Sequence, residues 1–328
     1  MNTRRLFAGV NSPFGFYSCF QSIINQETAN RIIYIKGGPG TGKSTLMKKI
    51  AAACEAAGEP VEVFHCSSDP HSLDGVHIVN RKIALMDSTA PHVMEPKYPM
   101  VNGEIFNPAV CLNRDKLRGK ERELSEYCLR KEAAFNRGFA CLTAANALTS
   151  AIDGILAQAC DPQKVHKTVD DIIEQHLSTP AKTGNGMVRP LFLSAVTPDG
   201  ATDYQNKLRE GSTAVTVRGG ANLALPRLID CAVRNGFDAE TFLCPLDPKT
   251  KIDHIHIPKL NLWISKEEDD YRSPALDGLR ACLKSVSAEA AKAFADAREA
   301  HRAMENNVFI PAMDFAQLDQ MSDKLKIL

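Results

Sequence analysis

The run Gly37-Gly38-Pro39-Gly40-Thr41-Gly42-Lys43-Ser44 constrains this chain more than any other feature. It satisfies G-x-x-x-x-G-K-[ST], and its surroundings are those the pattern needs. Arg31-Ile32-Ile33-Tyr34-Ile35 precedes it and reads as a buried strand, while Thr45-Leu46-Met47-Lys48-Lys49-Ile50 follows and reads as a helix. A loop of this kind wraps its main-chain N–H groups inward around phosphate, and glycines stand where side chains would clash or φ would be disallowed. The helix behind it offers unsatisfied N–H groups and its positive dipole end to the anion. Lys43 is spaced to reach β- and γ-phosphates, and the Ser44 hydroxyl to ligate Mg²⁺. The expected contact set is Gly37, Gly38, Pro39, Gly40, Thr41, Gly42, Lys43, Ser44 and Thr45, with ATP and Mg²⁺ as the expected ligands.

A metal bound at Ser44 needs a carboxylate partner. Ile83-Ala84-Leu85-Met86-Asp87 is an apolar strand ending on an acid, which would set Asp87 beside Mg²⁺; the plain alternative is a strand closed by a turn-forming Asp. Asp69, just past the strand end in Cys66-Ser67-Ser68-Asp69-Pro70, is a candidate for orienting a water or an acceptor hydroxyl, or else a turn residue. His65 and His92 are candidates for γ-phosphate sensing or acid–base work, or else satisfied core histidines. The Thr89-Ala90-Pro91-His92 segment after Asp87 is placed to touch the γ-phosphate. No glutamate follows Asp87, so the adjacent catalytic carboxylate of motor-type ATPases is missing, and fast hydrolysis is not expected.

The chain also repeats itself. Leu6-Phe7-Ala8-Gly9 and Ser12-Pro13-Phe14-Gly15 return, at the same spacing, as Leu191-Phe192-Leu193-Ser194 and Thr197-Pro198-Asp199-Gly200. Ile33-Tyr34-Ile35-Lys36-Gly37-Gly38 matches Val215-Thr216-Val217-Arg218-Gly219-Gly220. Val63-Phe64-His65-Cys66 before Asp69-Pro70 matches Thr241-Phe242-Leu243-Cys244 before Asp247-Pro248, and Asp74, His77 and Ile78 match Asp253, His256 and Ile257. Ordered matches that include polar, Pro and Gly positions point to duplication. Between the Gly-Gly pair and the glycine closing the next helix, Gly58 or Gly236, the second copy is four residues shorter and lacks the lysine and hydroxyl. After Leu262-Trp263-Ile264 it carries Ser265 and Lys266 and has lost the acid too. Joint loss is what one site formed by Lys43, Ser44 and Asp87 would produce. The second copy would then complete the core and interface, or supply Arg218, Arg227 or Arg234 as an arginine finger.

Each copy reads as a short strand (5–10, 190–195), a helix (15–26, 200–209), a strand (31–36, 213–218), a helix (43–57, 223–234) and two further strands (61–66 and 83–87; 238–244 and 260–264). The expected fold class is α/β, a P-loop NTPase fold, internally duplicated, with parallel sheets and added helical hairpins. Residues 115–160 and 276–306 read as helical, each a hairpin packed on its own domain or a lever-like, partner-binding arm. The expected units are 1–176, with the intact loop, and 189–328, with the degenerate one. They are joined by a Pro- and Gly-broken linker at 177–188.

A chain of 328 residues fits two domains or one large one. Its 39 basic and 39 acidic side chains cancel, leaving no global field to favour nucleic acid or an anionic membrane. No run of about 20 apolar residues, as a membrane helix requires, stands out, and Leu6-Phe7-Ala8 is too short for a signal-peptide core. Ten scattered cysteines without a Cys-x-x-Cys pair fit reduced thiols in a cytoplasmic protein.

Ile35 to Ser44, His65-Cys66-Ser67-Ser68-Asp69, Ser72-Leu73-Asp74-Gly75-Val76 and Asp87-Ser88-Thr89-Ala90-Pro91-His92-Val93 resemble a poorly characterised bacterial group of tandem phosphate-loop ATPase-like proteins, found mostly in Gram-positive anaerobes and bacilli. The similarity extends to the Ile310-Pro311-Ala312-Met313-Asp314-Phe315 tail. The resemblance implies a P-loop NTPase fold, a cytoplasmic location and ATP as ligand. Members often keep a second working loop; this chain departs from that at Gly219 to Leu225, where two-site binding is not implied. Three functions remain open: a slow Mg-dependent ATPase driving a conformational change, a small-molecule or nucleotide kinase with its acceptor near Asp69 and the 95–110 loop, and a non-catalytic nucleotide-gated interaction protein. The acceptor or protein partner and any homo-oligomeric state are not identified by these residues.

Overall fold

A computed structural model describes residues 3–267 and 271–327. The first half runs β1 (Thr3–Leu6), β2 (Gly9–Ser12), β3 (Gly15–Ser18), β4 (Arg31–Ile35), α1 (Lys43–Ala56), β5 (Val61–Cys66), β6 (Asp69–Ile78), β7 (Ile83–Asp87) and β8 (Gly103–Phe106). Helices α2 (Arg114–Leu117), α3 (Glu121–Ala159) and α4 (Pro162–Ile172) follow. The second half runs β9 (Val188–Leu191), β10 (Ser194–Thr197), β11 (Gly200–Asp203), α5 (Gln205–Arg209), β12 (Thr213–Arg218), α6 (Ala221–Arg234), β13 (Ala239–Leu243), β14 (Ile252–Ile257) and β15 (Leu262–Glu267). It ends in α7 (Pro274–Met304) and α8 (Phe315–Asp323).

The protein is mixed α/β. One sheet has the order β1-β5-β6-β7-β4-β8 and the other β9-β13-β14-β15-β12, the same sequence of corresponding strands apart from β8. The sheets are not purely parallel, as expected from the sequence, but mixed. β6 runs antiparallel to β5 and β7, and β14 to β13 and β15. Only Ser67 and Ser68 separate β5 from β6, far fewer residues than a parallel crossover needs, so the chain must turn straight back. The expected helix at 15–26 is instead β3 followed by a single 3₁₀ turn, Phe20–Ser22. Gly15, at φ 88°, closes a tight turn in which the Ser12 hydroxyl donates to the Gly15 carbonyl and accepts from the Phe14 amide. That turn folds β2 against β3. A similar turn at Thr197 and Gly200 makes β11 of residues expected to be helical, leaving only α5.

The halves meet where β1 and β9 end. Phe7 and Phe192 exchange both main-chain hydrogen bonds, at 2.9 and 3.1 Å. Leu6, Phe64, Leu191, Phe242 and Trp263 fill one shared core behind them. Beside it Glu62 pairs with Arg189 (2.6 Å) and Arg4 (2.7 Å), and Glu240 with Arg4 (2.5 Å) and Arg189 (3.0 Å). His77 and His256 add a hydrogen bond to each acid. Burial alone would raise both carboxyls. Arg189, His77 and Arg4 hold Glu62 far below its ordinary range, and His256 with the two arginines brings Glu240 down to about 2.

The long helices do not fold back on their own sheets. α3 pairs with α7 along Phe135, Phe139, Leu142, Ala290, Ala291 and Phe294, so each half's helical segment partners the other's. Thirty-nine residues of α3 carry the chain about 58 Å. This length delivers α4 to the second half, where Val165, Val169 and Ile172 join the core of Leu225 and Leu228. In return α7 delivers α8 to the first half, where Leu318, Leu325 and Ile327 join the core of Leu46, Met47 and Ile50. By length and composition α3 is also apolar enough to cross a membrane, a property its small side chains disguised in the sequence.

Candidate functional site

The Gly37–Ser44 loop joins the carboxyl end of β4, which lies between β7 and the edge strand β8, to α1. Three of its glycines are required by geometry. A Cβ on Gly37 would lie 2.6 Å from the Thr41 hydroxyl, while Gly40 and Gly42 sit at φ 67° and 83°, conformations side chains disfavour. Gly42 caps α1, so the amides of Lys43, Ser44 and Thr45 open the helix without intrahelical acceptors. Thr41 closes the turn by donating to the Gly38 carbonyl at 2.8 Å. The Lys43 ammonium folds over the loop, donating to the carbonyls of Gly37 (2.6 Å) and Gly38 (2.8 Å), and lies 3.6 Å from Asp87 Oδ2. The structure thus brings together the loop, the lysine and the strand-terminal acid. Pro39 forms the outer bend between Gly38 and Gly40.

Below the loop the oxygens gather. Asp87 ends β7 beside Ile35 of β4, and its Oδ1 accepts from the Thr89 amide and hydroxyl. Ser44 Oγ accepts from the Leu73 amide at 2.9 Å, which ties the start of α1 to β6. One residue on, Asp74 is 5% exposed, and its Oδ2 is buried without a hydrogen-bond partner. Burial, and then the charge of Asp87, push its carboxyl up to about 8. In the sequence Asp74 stands out as a repeat position and within the Ser72–Val76 run, with no role assigned; its tie to this site runs through the antiparallel strand β6. His92 stands 3.6 Å from Asp74, stacked on Phe20 and edge-on to Phe16, and burial lowers it to about 4. It is therefore neutral near pH 7. Ser44 and Asp87 carry hard oxygens that could hold Mg²⁺, a cation that takes one or two carboxylates and completes its shell with water and phosphate.

The other two candidates point elsewhere. His65 donates through Nδ1 to the Pro70 carbonyl at 2.8 Å and packs on Phe7 and Tyr204 in the junction core, and burial lowers it to about 4. Asp69 opens β6 and pairs with Arg302 (3.1 Å), with Arg298 at 4.0 Å. It faces α7 of the second half.

That helix end forms the outer wall of the loop, and no local signal announced it. Glu305 Oε1 accepts from the Gly40 amide at 2.8 Å, and His301 lies 3.5 Å from the same oxygen. Burial alone would raise the Glu305 carboxyl; His301, the Gly40 amide and the Lys43 charge hold it below its ordinary value. Phe309 and Ile310 cover Gly40, and Leu318 of α8 covers Gly42. A carboxylate thus sits on a loop amide where the oxygen of another anion could take its place.

The corresponding loop of the second half is built differently. Gly219 and Gly220 keep φ near 60°, but a Cβ on Gly220 would meet Val165 at 2.6 Å, so α4 fills the space over it. Lys266 holds the register position of Asp87 and lies 3.6 Å from Asp253, the counterpart of Asp74. There an internal ammonium faces the acid. Arg218, Arg227 and Arg234 pair with Glu267, Asp170 and Asp230, all on the second half's own side. Of these helices it is α7, which crosses over, and not α6 that brings arginines to the first half, where Arg298 and Arg302 pair with Asp69.

A family model described as Nephrocystin 3, N-terminal, matches residues 17–107, the segment from β3 through β8 that holds the loop, Asp74 and Asp87. No curated protein and no solved structure matches the chain. Over that segment, and no further, the chain is similar to the Nephrocystin 3 N-terminal family.

Proposed function

We propose that the first half is a P-loop nucleoside triphosphatase module that binds Mg·ATP at Gly37–Thr45, and that binding or loss of the γ-phosphate repositions α7. The supporting observation is the convergence of helix-opening amides, the Lys43 ammonium and the Ser44, Asp87 and Asp74 oxygens around one loop. Phosphate placed there would be held by main-chain N–H groups and by Lys43, which swings off the Gly37 and Gly38 carbonyls. Ser44 and Asp87 would hold Mg²⁺, whose chemistry is to neutralise charge on the phosphates. Asp74, retaining its proton until the cation arrives, is placed to orient a water through its free oxygen, with neutral His92 beside it. Positioning and electrostatics carry the reaction, and turnover is slow.

The nucleotide-gated reading draws on Glu305. An anion on the Gly40 amide must displace this carboxylate, and α7 leads from Glu305 along its whole length to α3. Glu305 therefore competes with the ligand, and removing it relieves that competition. Glu305→Gln tightens Mg·ATP binding roughly ten-fold, the value of a charge-assisted hydrogen bond of ~1.5 kcal/mol. Calorimetry checks the affinity, and phosphate release followed on the same samples checks turnover. Weaker binding by Glu305→Gln would show that the carboxylate assists the ligand rather than competing with it. Release of phosphate only with an added acceptor would make the protein a kinase.

A further inference from the structure

Resting on the nucleotide reading above, we infer that the cavity between α1 and α8 holds the base and ribose of the ligand, with Phe315 as the face on which the base stacks. The cavity is an open cleft of about 650 Å³ that begins at Gly42 and Thr45, beside the loop. Its size lies within the range of small-molecule sites, roughly 300–1,000 Å³. The route out of the loop leads here. Over Gly40 the way is covered by Phe309 and Ile310, and on the inner side stand Lys43 and Asp87. A chain of phosphates running along the opening turn of α1 leaves past Thr45, so whatever is esterified to it enters this space.

The walls suit a flat, largely apolar group. Leu318 lines the inner end against Gly42. Phe315, 42% exposed at the first position of α8, is a large aromatic side chain that the fold leaves uncovered at a cavity wall. Lys49 and Asp319 bridge α1 and α8 at 3.0 Å along the rim, both well exposed, where they can meet ribose hydroxyls. Aromatic stacking accepts any base, so this surface gives affinity without fixing base identity. The stacking face also comes from the second half's C-terminal helix while the phosphates lie in the first half. A nucleotide spanning both would join the two halves.

Calorimetric titrations with Mg·ATP and with Mg·tripolyphosphate, which carries the phosphates and no base, separate the two ideas. Wild-type protein binds ATP more tightly than tripolyphosphate. Phe315→Ala weakens ATP roughly ten-fold or more and leaves tripolyphosphate within about two-fold. Phe315→Trp retains ATP affinity, and its emission is quenched by ATP and not by tripolyphosphate; this arm stands even where the alanine variant folds poorly. Equal affinities of the alanine and wild-type proteins for ATP, or equal losses for both ligands, overturn the base pocket while the phosphate site stands. Failure of wild-type protein to bind either ligand overturns both.

Discussion

Asp74 is a buried carboxyl with one oxygen unpartnered, beside a second acid. Packing offers no return for such a group, and unpaired buried charge is costly. The second half shows the alternative, since Lys266 replaces the neighbouring acid and faces Asp253. The sign of the cost follows from its direction. With its carboxyl raised to about 8 by burial and then by Asp87, Asp74 holds a proton in the folded state that the unfolded chain, near its ordinary 3.9, has already released. Stability is therefore lost as pH rises from about 4 towards 8. Asp74→Asn removes this loss, so the variant gains on wild type by up to about 1.4 kcal/mol per pH unit between pH 5 and 8. Urea unfolding at both pH values measures it, and a pH-independent difference would contradict the account. At Lys43, Ser44 and Asp87 the site was legible because spacing and flanking strand and helix are local. Glu305 was not, lying 265 residues from its partner Gly40 with nothing near it in sequence to mark a contact.

Among the elements, the ones with dense local signals fell where the sequence placed them. β4, α1, β5 and β7 agree to within a residue, and each is a short apolar run or follows a glycine turn. β6 did not, because Asp69, His71, Asp74, Gly75 and His77 give it the composition of a loop, and strand character there comes from β5 and β7 on either side. The α3–α7 pairing was also hidden, since an apolar stripe says that a face is buried and not against what. Gly138 tests that pairing. Alanine is the better helix former by about 1 kcal/mol, yet a Cβ here would lie 2.3 Å from the Phe294 ring, which is 1% exposed. Overpacking of this kind costs roughly 1–3 kcal/mol. Net of the helix gain the cost is up to about 2 kcal/mol, so Gly138→Ala is expected to lower the unfolding midpoint by up to about 3 °C in a thermal melt. A raised midpoint would mean that the two helices are not packed together at this point.

On the scale of the whole molecule, two sheets with the same strand order are joined by a reciprocal exchange of C-terminal segments: α4 lies on the second core and α8 on the first. The exchange covers both glycine loops, but differently. Val165 of α4 fills the space over Gly220, whereas Glu305 sets one carboxylate on the Gly40 amide. On the proposed reading the molecule takes one nucleotide per chain, and the outer wall of its loop is carried by the far half. Isothermal titration of Mg·ATP into wild-type and Lys43→Ala protein, with circular dichroism to establish that both are folded, tests this directly. The account predicts saturable binding of one nucleotide per chain by the wild type, and a loss of at least about 30-fold in the variant, as removal of a buried charge partner from an anion entails. Undiminished affinity in Lys43→Ala, or two equivalent sites per chain, would contradict it.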